Sequence, residues 1–403
     1  MLSLLKNTQG VFMGDIKYII DTLFMLFAMV LIIFMVPGFA MLEAGLVRTK
    51  NVTSVLTINT LIYAIASMIF LLIGYSYAFG GWNVTSYSVW AAFLFQMAFV
   101  GKTVNIMSGG VSERTKIIPL MFFTVVMAGF IYPTVVNVTW GANFLKDTFL
   151  DISAMHDLAG STVIHSTGAW ALLAAILIIG PRKGRYGKNG TIKAIPASNI
   201  PLVVLGAMIL WIGWFGFNGG SVGTISSKES ADTVALTILN TNTAGLAGAI
   251  VAAIVMYIRY KLLDITMILN GALGGLVAIT AGADIYDIYS PIAIGTIGGL
   301  LVVFAVPLFD RLKLDDPVGA LSVHLVNGIW GTLSVGIFAK NVSLMPQIKG
   351  VAIVALFAFI VSYIFIYIIN KIIPFRASDD EQIEGIDVSE CGLEAYPEFK
   401  RAF

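Results

Sequence analysis

Cysteine, histidine and charge are all scarce in this chain of 403 residues. The single cysteine, Cys391, excludes an internal disulfide and any cysteine-based metal site. Charged residues make up 12%, about half of the roughly 25% usual for soluble domains, and hydrophobic residues make up 58%. With a mean hydropathy of +0.90, this composition excludes a soluble globular domain. The apolar runs are continuous rather than alternating, which excludes a transmembrane β-barrel. A net charge of +1 supplies no basic field for nucleic acid. The opening residues, MLSLLKNTQGVFMGD, contain no compact apolar core ending at a small-residue cleavage site, so the first apolar run is expected to be retained. What remains is an all-α polytopic membrane protein.

Eleven runs are long enough for the ~20 residues that a crossing requires. They lie at 18–42, 53–79, 87–109, 117–140, 159–181, 198–219, 233–258, 262–281, 288–309, 318–339 and 350–374. Basic residues divide unequally between the two sets of connections. One set carries Arg48, Lys50, Arg114, Lys116, Arg182, Lys183, Arg185, Lys188, Lys193, Arg259, Lys261, Arg311 and Lys313. The tail adds Lys371, Arg376, Lys400 and Arg401 to that side, and the opposite side has only Lys6, Lys17, Lys146, Lys228, Lys340 and Lys349. The positive-inside rule then places the N-terminus outside and the C-terminus in the cytoplasm. Lys102 stands alone inside the third span, and its simplest reading is a side chain that snorkels or faces another helix. Glycine-rich stretches such as GALGGL at 271–276, TAGLAGA at 243–249 and GTIGGL at 295–300 signal close helix packing. Pro37 and Pro133 are expected to kink or break their spans.

Two segments repeat a pattern. Asp157-LAGSTVI-His165 and Asp316-PVGALSV-His324 both read D-x-x-G-x-x-x-[IV]-H, with Gly160 and Gly319 in register. Spans 1–5 and 6–10 form two halves with an odd number of crossings each, which forces inverted topology. Eight residues at 1.5 Å rise put each histidine about 12 Å below its own surface, and a core about 30 Å thick lets the two approach each other near the midplane. Substrates of inverted-repeat transporters commonly sit at that level. A structural hydrogen bond between helices would satisfy the same spacing. Two histidines with no cysteine or obvious carboxylate are too few for zinc, and no Ser–His–Asp grouping has a recognisable spacing. His156 precedes the aspartate at the outer mouth and is expected to be exposed.

Seven motifs in order resemble the ammonium transporter (Amt/Mep/Rh) family over nearly the whole chain. They are PGFAMLEAGLVRTKN, FQMAFVGKTVNIMSGGVSER, HDLAGSTVIH, WFGFNGGS, NGALGGLVAITAG, DDPVGALSVHLVNGIWG and the tail IEGIDVSECGLEAYPEF. The third-span motif and the tail are similar to the Amt branch rather than to Rh proteins. The resemblance implies eleven transmembrane helices in an inverted five-plus-five repeat plus one extra helix. The halves would cover about 18–181 and 198–339, followed by an eleventh helix at 350–374. It also implies a homotrimer in the cell membrane, each subunit with its own pore, and no cofactor. A membrane domain over 1–374 would be followed by a cytoplasmic tail over 375–403.

The resemblance further assigns ammonium recruitment to Phe99, Trp140 and Ser221. An aromatic face attracts a cation by roughly 0.5–2 kcal/mol, and a hydroxyl can accept an N–H bond. Taken alone, Trp140 would read as an interfacial belt residue and Ser221 as the start of a loop. Phe99 and Phe217 match a stacked gate, His165 and His324 match twin pore histidines, and Asp157 matches a buried carboxylate that favours a nearby cation. Asp157 is expected to be hydrogen-bonded by backbone or hydroxyl groups, with Ser161 and Thr162 as candidates, or to cap the fifth span. The implied mechanism selects ammonium at the vestibule and deprotonates it there or just below. Ammonia then passes the histidines while the proton travels by a separate relay, so uptake is electrogenic.

By composition the acidic tail reads as a disordered solubilising segment. By resemblance it packs on the cytoplasmic face, couples the pores through Gly385, Asp387 and Ser389, and forms part of the docking surface for a trimeric PII signalling protein. Cys391 stands where the tail motif commonly has histidine, and Gly319 stands where a further aspartate is common. The alternatives are an ammonium sensor of the same fold and an Rh-like channel for neutral gas. A membrane enzyme lacks a catalytic constellation.

Overall fold

A computed structural model gives the fold over residues 2–399. Lys400 and Arg401 of the tail and the side chain of Lys6 lie outside the described residues. The described residues form helices and no strand, with isolated bridges at Thr115–Arg376 and Tyr186–Ile192. The helices are α1 (Leu2–Leu46), α2 (Thr49–Phe79), α3 (Val89–Val111), α4 (Ile117–Thr139), α5 (Ser161–Ile179) and α6 (Ile200–Gly220). They continue with α7 (Lys228–Tyr260), α8 (Ile265–Ile279), α9 (Ser290–Arg311), α10 (Leu321–Phe338) and α11 (Leu344–Ile372), and a short α12 (Asp379–Glu384) lies in the tail. Ten of these described helices are long and apolar enough to cross a membrane.

The expected span at 262–281 yields only the 15-residue α8. At 1.5 Å per residue it is about 22 Å long, short of a 30 Å core. It packs among α7, α9 and α10, and Gly271 to Ile279 are buried without a break. A helix enclosed by protein need not match the lipid thickness. Glycine sets that packing: a Cβ at Gly275 would lie 2.2 Å from the Ala244 carbonyl oxygen, and one at Gly299 would lie 2.4 Å from that of Gly248. The proline expectations divide. α1 runs without a break through Pro37. Pro133 follows a π-helical turn, Met127–Ile131, which takes up the extra residue before the ring and lets α4 continue.

At one end of the bundle a buried ionic cluster ties four connections together. Arg48 and Arg182 reach Glu113 Oε2 at 2.8 and 3.1 Å, and Arg182 Nη2 meets Asp315 Oδ1 at 2.8 Å. Arg114 donates to the carbonyls of Gly110, Gly180 and Asp315, two of them at the last turns of α3 and α5. Burial alone would raise the Asp315 carboxyl, but hydrogen bonds from Arg182 and the charge of Arg114 hold it down at about 2. A depressed carboxylate stabilises the fold fully above its unfolded value, about 3.9, and the contribution is lost as pH falls through the folded value. Asp315→Asn leaves Arg182 with Glu113 as its remaining carboxylate and is expected to cost about 3 kcal/mol. The melting-temperature gap between wild type and Asp315→Asn in detergent should hold from neutral pH to about 5 and close only below about 4. A gap already halved at pH 5.5 would contradict this account of the cluster.

The tail docks on the same end rather than behaving as its acidic composition suggests. Asp387 accepts from the Thr53 and Ser54 amides at 2.9 and 2.7 Å, and Glu390 accepts from Ile117 N at 3.0 Å. Both carboxylates thereby occupy unpaired N–H groups at the starts of α2 and α4. Lys50 Nζ donates to the carbonyls of Gln382 and Ile383, and Lys116 pairs with Glu381 at 2.7 Å. Gly385 sits at φ +124°, and a Cβ there would lie 2.6 Å from the Lys50 carbonyl oxygen. Ser389 Oγ donates back to the Gly385 and Ile386 carbonyls, and Cys391 Sγ contacts Thr57 Oγ1 at 3.7 Å. Asp387→Ala removes two caps worth about 0.5–2 kcal/mol each. Hydrogen exchange at Thr53 and Ser54 should accelerate in this variant, together with proteolysis of the tail, and unchanged protection would refute the docking role.

Candidate functional site

Two turns from opposite ends of the bundle deliver the site. Asp157 Oδ1 accepts from Gly160 N and Ser161 N at 2.9 and 2.8 Å, and Oδ2 from Thr162 N and Val163 N at 2.8 and 2.9 Å. The contacts are to backbone. The hydroxyls named as candidates turn elsewhere, Ser161 to the Val277 carbonyl and Thr162 to Thr332 Oγ1. Asp316 makes the same kind of turn, accepting from Val318, Gly319 and Leu321. Gly160 and Gly319 adopt φ +105° and +79°, left-handed positions that favour glycine. Each turn feeds a π-helical segment, Ser161–Ser166 and Leu321–Val326. Such wider turns occur often at functional sites, and these carry His165 and His324.

The two imidazoles meet, with Nδ1 atoms 3.2 Å apart and ring planes within 15°. One Nδ1 must donate and the other accept, which leaves the Nε2 atoms for other partners. His165 Nε2 is buried and has no protein partner. Aromatic rings enclose the pair. Trp214 lies parallel to His165 at 5.2 Å, Phe217 covers it at 5.5 Å, and Phe39 lies 6.2 Å from His324. Phe217 and Phe99 are 4.4 Å apart between centroids, and Phe99 lies 6.3 Å from Trp140.

A cavity of about 410 Å³ opens above Phe99, with Trp140, Gln96, Tyr75 and Ser221 in its walls. A second, of about 150 Å³, lies at the other end against Asp316, Val318 and Ser322. Phe99, Phe217 and both histidines are buried between them. Trp140 Nε1 donates to the Asp157 carbonyl at 2.7 Å, which fixes the indole at the cavity wall. Ser221 Oγ donates to the Phe217 carbonyl at 2.9 Å, and its lone pairs remain free to accept.

The structure thus gathers Phe99, Trp140, Ser221, Phe217, Asp157, His165 and His324 into one column. Gly385, Asp387 and Ser389 lie apart, in the docked tail. His156 is not the exposed residue expected. It is partly buried and its Nε2 lies 3.2 Å from Asp284 Oδ1, while Gln347 of α11 clamps its backbone on both sides. Burial opposes protonation of His156, but the Asp284 carboxylate outweighs it and raises the imidazole above its ordinary range. Lys102 is buried with Nζ 5.7 Å from the Phe39 ring centroid. Phe39 and Trp214 were not singled out from the sequence. Both stand inside conspicuous motifs, PGFAMLEAG and WFGFNGG, but an aromatic in an apolar helix carries no mark separating a site wall from ordinary packing. Among the described residues no group of three or more His, Cys, Asp or Glu side chains is arranged to hold a metal.

This architecture has known counterparts. Residues 23–396 match the Ammonium Transporter Family. The chain belongs to that family. It is 34% identical to ammonium transporter Amt2 of Archaeoglobus fulgidus, over 94% of this chain and 89% of that one. It is 33% identical to ammonium transporter Amt1 of Haloferax mediterranei, over 92% and 78% respectively. Among solved structures, a sensor Amt protein superposes with a TM-score of 0.87 at 32% identity, covering 94% of this chain and 99% of that one. Mep2 of Candida albicans gives 0.82 at 25% identity, covering 96% and 94%. This Amt-family chain is therefore a multi-pass membrane protein whose relatives are transporters rather than enzymes.

Proposed function

We propose that this chain takes ammonium across the cell membrane by splitting it. The cation is recruited in the 410 Å³ cavity by Phe99, Trp140 and Ser221 and favoured by Asp157. It gives up a proton at or below the Phe99–Phe217 gate. Ammonia then passes His165 and His324, and the proton crosses separately, so uptake carries charge. The observation that carries this reading is the histidine pair itself. Its nitrogens lie 3.2 Å apart, sealed between Phe217 and Phe39 and away from both cavities. A hydrated alkali cation would lose its water there for two neutral rings, at several kcal/mol. Ammonia, with donors and an acceptor of its own, fits hydrogen-bonding nitrogens in an apolar passage.

In the same reading α8 counts as a crossing, giving eleven spans. The D-x-x-G turns mark the inverted halves, with the N-terminus outside and the C-terminus in the cytoplasm. The membrane domain over 1–374 assembles as a homotrimer. The tail over 375–403, through Gly385, Asp387 and Ser389, couples the subunits and offers part of a surface to a PII-family protein. The likeness to a sensor Amt protein gives a second reading, recognition of ammonium with little flux. Ammonium jumps applied to proteoliposomes on a solid-supported membrane separate the two. The transport reading expects a sustained inward positive current absent from protein-free vesicles. Folded protein without current or ammonium accumulation would leave the sensor.

A further inference from the structure

A second polar track runs beside the histidine column, between α1, α2 and α3. Glu43 is buried in α1, with Oε2 accepting from Asn59 Nδ2 at 2.9 Å and Oε1 from Ser108 Oγ at 2.8 Å. One turn nearer the histidines, both side-chain polar atoms of Asn105 are buried without a partner, and so is Lys102 Nζ above it. Asn59 Oδ1 is likewise unpaired. Lys102, Asn105 and Ser108 stand three residues apart and so share one face of α3. Inside a membrane protein, unpaired polar atoms on two neighbouring turns are expensive, and packing alone would select against them.

Both ends of the track meet the pore. At the upper end α3 packs on the turn after His165, since a Cβ at Gly168 would lie 2.3 Å from the Thr103 carbonyl oxygen. Lys102 Nζ lies over the Phe39 ring at 5.7 Å from its centroid, and the His324 ring is 6.2 Å from that same centroid. At the lower end a Cβ at Gly109 would touch both Glu43 Oε1, at 3.0 Å, and Val318, at 2.7 Å. Val318 is a wall of the 150 Å³ cavity. The track therefore starts at the depth of the histidines and ends against the opposite mouth, without using the apolar passage.

We infer that Glu43 is a proton-relay residue, taking up the proton released from ammonium along the Lys102–Asn105–Ser108 face and passing it to the 150 Å³ cavity. The proton balances simply: ammonium yields ammonia and a proton, Glu43 holds the proton as a carboxylic acid, and both recombine beyond the lower mouth. Ammonia and proton thus travel in separate lanes, which rests on the splitting mechanism proposed above.

Glu43→Gln is nearly isosteric and keeps an acceptor for Asn59 or Ser108. In proteoliposomes it should lower the ammonium-evoked current by about tenfold or more, while ammonia still permeates and alkalinises the lumen, because each molecule then arrives without its proton. Lys102→Met, which leaves Glu43 in place, should lower the current to a lesser degree, again without loss of ammonia permeation. A merely structural carboxylate would lower both signals together, and that result overturns the inference. Full current in Glu43→Gln also overturns it while leaving the splitting mechanism intact. Absence of current in wild type, with ammonia still permeating, would instead remove the splitting mechanism itself.

Discussion

His165→Ala should lower the ammonium-evoked current by about 100-fold, in the range expected when a positioned acid–base group is removed. The ring does three things that alanine cannot. It supplies one half of the 3.2 Å Nδ1–Nδ1 contact, it presents a buried Nε2 without a protein partner, and it fills the space between Trp214 and Phe217. Deleting it opens a gap in which water and a whole cation have room, so selectivity should fall with rate. His324→Ala should behave similarly but with a milder loss of packing, because among the described residues Phe39 is its only close ring besides His165. The selectivity readout is the current evoked by potassium jumps relative to ammonium jumps. Either alanine variant keeping both wild-type rate and selectivity would remove the histidines from the mechanism.

Asp157→Ala should be the most damaging single change to folding near the site. Its carboxylate serves four backbone amides, at 2.8–2.9 Å, in a turn that is itself buried. Each buried N–H left without an acceptor costs about 1–3 kcal/mol. Some of the four will find substitutes, so a net loss on the order of 4 kcal/mol is expected. The same turn sets the start of α5 and therefore the depth of His165, so the folded fraction should also lose current. Asp157→Asn retains one acceptor oxygen and should fall between wild type and alanine in thermal unfolding in detergent. A melting temperature and current unchanged in Asp157→Ala would show that the turn stands without its carboxylate.

Much of this was legible before any coordinates. Hydropathy alone marks the helices, since a membrane leaves backbone groups no choice but internal hydrogen bonds. It overstated the length of α8, because a helix shielded by α7, α9 and α10 looks as apolar as one facing lipid. The pairing of His165 with His324 was readable from spacing, because eight residues from either end reach the same depth. Their π-helical turns were not, since no residue type announces the extra residue per turn. The tail misled by composition. Its carboxylates look solvated, yet Asp387 and Glu390 are there to meet the bare amides of α2 and α4, and sequence-distant partners leave no local pattern. His156 misled in the same way, through Asp284 and Gln347. Nothing in the sequence marks Glu43 within PGFAMLEAG, because its partners Asn59 and Ser108 stand on other helices.

The central claim is that ammonium is taken apart and that both products cross. The ratio of charge moved to ammonium nitrogen accumulated, measured in the same proteoliposomes, tests it most directly. The account predicts one elementary charge per nitrogen. Accumulation without charge would make the chain a conduit for neutral ammonia and contradict the account.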